Sequence, residues 1–175
     1  MNTSDENEFQ VVVAGAGPVG MAVAIELGLR GIRTLVCDPR GPVEYNVARI
    51  NLTNARSMEH FRRWGIADKL RENDPIPSDV VRDLTYVTRA NGRIILNVEG
   101  AYEWREQPSF AAEVPEWAPH HAIEKTLREK ILSIPAVTFM PFTTIKDFTQ
   151  DSEGVTLTYE DQSGDCQDFR VWAGG

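Results

Sequence analysis

The sequence predicts an α/β fold: a strand–helix–strand unit over residues 9–38, a β-hairpin excursion, and a C-terminal antiparallel β-meander. Three observations predict it. A Val-rich run ends in a glycine turn and gives way to helical spacing. Asn91-Gly92 joins two β-type runs, the strongest short-range signal for a hairpin. Three further β-type runs close the chain, separated by the turn-forming segments DSEG and DQSGD.

The first ten residues, MNTSDENEFQ, are polar and acidic and lack the basic and apolar regions of a secretory signal, so residues 1–8 read as a disordered leader. Phe9 to Ala14 reads as a strand buried on both faces, because it is a short apolar run bounded by glycine. Pro18 to Arg30 has helical spacing, with Val19, Val23 and Leu27 on one stripe, small Ala24 facing the strand and Gly31 at the C-terminal cap. Thr34 to Cys37 is the second strand, ended by Asp38-Pro39. Such a unit is joined by a parallel, right-handed crossover.

Ala55 to Trp64 predicts a second helix, with Met58, Phe61 and Trp64 on one side and Gly65 as its stop. Pro75-Ile76-Pro77 marks a linker to the hairpin run LTYVTRANGRIILNV. Glu99 to Pro119 shows no period and reads as irregular. Residues 80–118 are thus an excursion within one domain spanning 9–175. Ala122 to Ile134 is an amphipathic helix, with Ile123, Leu127 and Ile131 four residues apart and Pro135 as its end. The β-type runs around Val137 to Ile145, Gly154 to Tyr159 and Asp168 to Trp172 form the expected meander.

Composition narrows the function. Eighteen Lys+Arg against twenty-six Asp+Glu give a net charge of −8, which repels nucleic acid and anionic lipid. No apolar run approaches the roughly 18 residues of a membrane span, so a cytoplasmic protein without a membrane partner is expected. Cys37 and Cys166 have neither CxxC nor Cys/His spacing, which argues for thiols rather than a disulfide or metal site.

Gly15-Ala16-Gly17-Pro18-Val19-Gly20 is a GxGxxG placed between the first strand and helix. Gly15 permits the tight turn, Gly17 lets backbone approach a pyrophosphate, and Gly20 lets the helix pack on the strand. The N–H groups of the helix start, at Pro18-Val19-Gly20, favour an anion. Asp38 closes the second strand where a carboxylate accepts hydrogen bonds from the adenosine ribose. The unit is therefore Rossmann-like and binds the ADP half of a dinucleotide. Arg40 is placed to approach the adenine or pyrophosphate, although an exposed loop charge is the favoured reading. An NAD(P)-dependent dehydrogenase would continue with more βα units, whereas a hairpin and a meander follow here, which favours FAD.

With these residues the chain resembles the aromatic-ring hydroxylases, FAD-dependent monooxygenases of the para-hydroxybenzoate and phenol hydroxylase type. The likeness is carried by VVVAGAGPVGMAVAIELGLRGI with VCDP, and by ARINLTNARSMEHFRRWGI, continuously over residues 9–66. It implies that Arg49 reaches the FAD pyrophosphate and ribityl region. In PHHAIEKTLREKI, the resemblance places His120 where the family commonly carries a glutamine on the flavin side, followed by a Glu and a Leu. His120 departs from that pattern but retains a hydrogen-bond donor; a solvated helix entry stays open for it.

The resemblance further implies that NADPH or NADH reduces the flavin and that O2 supplies the oxygen atom placed on a small aromatic substrate. The cofactor carries the difficult chemistry, and no catalytic side chain is assigned. The family's Gly-Asp motif and later substrate region are not in the sequence, so it reads as the N-terminal FAD-binding part of a longer protein, with the isolated chain expected to be inactive. A dehydrogenase, a flavin halogenase and a catalytically inactive nucleotide-binding fragment stay open.

Overall fold

The computed structural model describes residues 9–41, 51–76, 80, 82–104, 107 and 109–172. The chain divides into two compact units, residues 1–46 with 124–175, and residues 47–123.

In the first unit, β1 (Val11–Ala14), α1 (Pro18–Gly28) and β2 (Thr34–Asp38) follow one another as the sequence predicts. β1 and β2 pair in parallel, Val11 opposite Thr34 and Ala14 opposite Cys37. The register sets the Gly15 turn beside the end of β2, where the Gly15 N–H donates to the Cys37 carbonyl at 2.7 Å. Central β2 is buried at all five positions, because it has strands on both sides. β1 is only half-buried, against expectation, since it lies at the edge of the three-stranded order β1-β2-β5.

α1 also buries a different face from the one its valines suggest. Met21, Ala24, Ile25 and Gly28 are buried, at i, i+3, i+4 and i+7, while Val19 is 79% exposed and Val23 43%. Small residues decide the choice: a Cβ on Gly28 would lie 2.4 Å from Val137 Cγ2, so this stripe packs closest. Burial of Met21 and Ile25 contributes roughly 1.5–3 kcal/mol each. Gly31 takes φ +76°, and its N–H donates to the Gly28 carbonyl at 3.0 Å, ending the helix as expected.

α4 (His120–Leu132) carries the chain to β5 (Val137–Pro141), and Ile123, Leu127 and Ile131 are buried at their four-residue steps. β5 pairs in parallel with β2, Asp38 opposite Pro141. The single β-run expected over Val137 to Ile145 is therefore two strands in different sheets. Phe142, with φ +56°, breaks it, and a helical crossover before β5 returns the chain parallel rather than antiparallel. β6 (Thr144–Gln150), β7 (Gly154–Glu160) and β8 (Cys166–Trp172) form the antiparallel meander in the order β6-β7-β8.

The second unit begins with α2 (Ala55–Arg63), whose N-cap Asn54 accepts from the Ser57 N–H at 2.8 Å. Met58, Phe61 and Trp64 are buried, and Gly65 has φ +72°. A short helix not expected from the sequence, α3 (Ala67–Asn73), follows at once and buries Leu70. Its Arg71 pairs with Asp68, Glu113 and Glu116. The hairpin is present as β3 (Leu84–Val87) and β4 (Ile94–Val98), antiparallel, with its apolar residues largely exposed. The segment read as irregular is anchored by a bridge between Thr53 and Glu116.

Candidate functional site

The glycine turn between β1 and α1 has the geometry its spacing predicts, with a separate reason at each position. Gly15 has φ +110°, a conformation that side chains rarely adopt. Around a Cβ built on Gly17 there is nothing within 4 Å, so this face of the turn is open. On Gly20 a Cβ would lie 2.0 Å from the Gly15 carbonyl oxygen and 3.1 Å from Val13 Cγ1, so helix and turn fit only around a glycine. Pro18 stands at the first helical position, and the first-turn N–H groups of Gly17, Val19 and Gly20 have no acceptor within the helix. An open backbone face backed by the helix dipole suits a diphosphate.

Asp38 lies beside this turn, 2% exposed. Its Oδ2 accepts from the Ala16 N–H at 2.6 Å and from Arg40 Nη2 at 3.2 Å. Its Oδ1 accepts from the Arg40 backbone N–H at 2.8 Å and from Arg40 Nε at 3.0 Å. Burial alone would push this carboxyl up, but the hydrogen bonds from Arg40 and Ala16 outweigh it and hold Asp38 below its ordinary value. The bond to Asp38 in turn raises Arg40. A carboxylate offers about four lone-pair sites, so the protein itself occupies those of Asp38, and a ribose hydroxyl must share or displace one of these donors.

Arg40 is a part-exposed loop charge, but a paired one rather than a solvated one. Its Nη1 reaches Glu124 Oε1 on α4 at 3.3 Å, while Nε and Nη2 hold Asp38, so two carboxylates grip one guanidinium. Glu124 is only 4% exposed. One α-helical turn further along, Arg128 donates from Nη1 to the Gly41 carbonyl at 2.7 Å and lies 4.7 Å from the Phe139 ring centroid. No role for Glu124 or Arg128 is legible in the sequence; the signal for Glu124 is its match to the Glu of the family's helix pattern in PHHAIEKTLREKI.

The structure thus gathers Gly15, Gly17, Pro18, Val19, Gly20, Asp38 and Arg40 at one end of the parallel sheet. Arg49 lies outside the described residues. His120 is the first residue of α4 and is half-buried, in the other compact unit. Burial pushes the Cys37 thiol up to about 11, and Cys166 is exposed; both are unbridged. Among the described residues there is no cluster of His, Cys, Asp and Glu able to hold a metal. No described helix is long and apolar enough to cross a membrane.

A family model described as FAD binding domain matches residues 8–171. The chain belongs to the FAD-binding domain family. The open turn fits the diphosphate of that family's cofactor, FAD. The FAD-binding chain is 27% identical over 161 residues to 3-(3-hydroxy-phenyl)propionate/3-hydroxycinnamic acid hydroxylase of Burkholderia cenocepacia (strain HI2424), covering 90% of this chain and 27% of that protein. Over 155 residues it is 28% identical to the probable NADH-specific resorcinol 4-hydroxylase of Rhodococcus jostii (strain RHA1), covering 88% and 27%. Among solved structures, the rebeccamycin biosynthetic enzyme RebC with reduced flavin superposes with a TM-score of 0.82 at 28% identity, covering 95% of this chain and 31% of that one. The chain spans about a quarter of the length of the two hydroxylases it matches.

Proposed function

We propose that this chain is the FAD-binding portion of a flavin-dependent monooxygenase that hydroxylates a small aromatic or phenolic substrate, using NADH or NADPH and O2. The observation that carries the reading is the open glycine face closed by Asp38, in a chain whose relatives include hydroxylases of 3-(3-hydroxyphenyl)propionate and of resorcinol. Bound FAD supplies the redox chemistry. The protein's part is placement: Gly17 admits the diphosphate to the backbone, and the first-turn N–H groups at Gly17, Val19 and Gly20 meet its charge. Asp38 takes the ribose hydroxyls in exchange for part of its hold on Arg40, and Arg40 stays anchored on Glu124. By the family resemblance, Arg49 and His120 serve the pyrophosphate and flavin sides. A guanidinium fork is well suited to a phosphate oxygen pair.

Titration with FAD or ADP tests the site. Asp38→Ala is expected to weaken binding about tenfold or more, the loss of a charged hydrogen bond; unchanged affinity rejects the assignment. For the reaction, a phenol should stimulate NAD(P)H oxidation by the protein carrying this chain, with one atom of labelled O2 in the product. Oxidation that leaves the phenol unlabelled overturns the monooxygenase reading.

A further inference from the structure

We infer that Glu124 is a positioning residue for the adenosine end of the cofactor, acting through Arg40 on Asp38. This rests on the reading of Asp38 as the ribose acceptor. A guanidinium bound to Asp38 alone retains freedom to swing, because the side chain is long and 38% exposed. Glu124 removes that freedom. Its Oε1 engages Nη1 at 3.3 Å while Nε and Nη2 are bound to the two oxygens of Asp38, at 3.0 and 3.2 Å. Three of the planar head's donors are then fixed from two sides, which sets the plane of the Asp38 carboxylate. That plane aims Oδ2 at the Ala16 N–H inside the glycine turn, 2.6 Å away. A residue on α4 thereby determines how the turn and the acid present themselves to a nucleotide.

Simple electrostatics predicts the opposite effect for its removal, and this makes the inference decidable. A carboxylate beside a diphosphate site repels the ligand, so deleting Glu124 on charge grounds alone should tighten binding. A positioning role requires weaker binding instead.

The experiment measures ADP and FAD affinity by titration calorimetry for the unaltered chain, Glu124→Gln, Glu124→Ala, Arg40→Ala, Asp38→Ala and the Arg40→Ala/Glu124→Gln double variant. Thermal melting of each confirms folding. Glu124→Gln is the near-isosteric variant, and it is expected to weaken ADP binding about fivefold, within the usual range of coupling between contacting residues. In the Arg40→Ala background the same change should cost less than about twofold, because the link it acts through is already gone. Tighter or unchanged binding by folded Glu124→Gln overturns the inference, as does an equal loss in both backgrounds. If Asp38→Ala binds ADP as the unaltered chain does, or the unaltered chain does not bind it, the reading of the site fails. Weakening by Asp38→Ala with none by Glu124→Gln sinks only the positioning role.

Discussion

Gly17 and Gly20 are three residues apart in one turn, yet the structure predicts opposite consequences for adding the same methyl group. At Gly20 the new Cβ would lie 2.0 Å from the Gly15 carbonyl oxygen. Close C···O contacts in proteins begin at roughly 3.3 Å, so about 1.3 Å must be made up by moving backbone, not a pliable side chain. Overpacking typically costs 1–3 kcal/mol, and a backbone clash of this size belongs at the upper end, about 3 kcal/mol. For a chain of this length that lowers Tm by about 6–12 °C. At Gly17 the Cβ meets nothing within 4 Å, and φ −72° with ψ 175° is open to alanine. The gain from a less flexible unfolded chain, about 0.4–1 kcal/mol, offsets the poorer N-cap, so stability should change by under about 1 kcal/mol. Binding should respond in the reverse sense. Gly17→Ala puts a methyl where the diphosphate must approach and is expected to cost at least about tenfold in FAD or ADP affinity, about 1.4 kcal/mol. Urea and thermal denaturation read the first quantity and titration calorimetry the second. Gly17→Ala that binds as tightly as the unaltered chain, or Gly20→Ala that melts at the same temperature, would refute the reasoning.

The site and the scaffold yield three further expectations. Asp38 is held below its ordinary pKa, so its pairing contributes stability above the usual aspartate range and loses it as pH falls through the lowered folded value; Asp38→Asn should flatten the acid limb of the stability curve, and an unaltered limb argues against the pairing. Removing the α2 cap with Asn54→Ala should cost about 1 kcal/mol in urea unfolding, through the lost bond to the Ser57 N–H, with no effect on nucleotide affinity. Maleimide at mildly alkaline pH should label Cys166 in the folded chain and spare Cys37, whose burial pushes its thiol up to about 11; rapid labelling of both would show that β2 is not the closed centre of its sheet.

Much of the parallel unit was legible in the sequence because its determinants are local. A glycine that needs φ +110° and a helix that starts at a proline each act within a few residues of themselves. The hairpin at Asn91-Gly92 and the stop at Gly65 were readable for the same reason. The face of α1 is instructive: valines mark a stripe by hydropathy, but the packed stripe is the one with Ala24, the small residue expected to face the strand, and Gly28, where close approach of the sheet outweighs apolar size. Likewise Val137 to Ile145 has the composition of one strand. Which sheet each half joins depends on the helical crossover before it and the left-handed turn at Phe142.

What the sequence by itself determined is the turn, three glycines and a helix start specified by backbone sterics at short range; Asp38, 22 residues from Ala16, meets that turn through the parallel pairing of β1 and β2. Only the tertiary structure decided what holds the arginine that grips the carboxylate. Arg40 and Glu124 are 84 residues apart, and Arg128 and Gly41 are 87 apart. No propensity or spacing encodes a partner at that distance. Their meeting follows from the parallel pairing of β5 with β2, which brings α4 back along the sheet to the end where the turn lies.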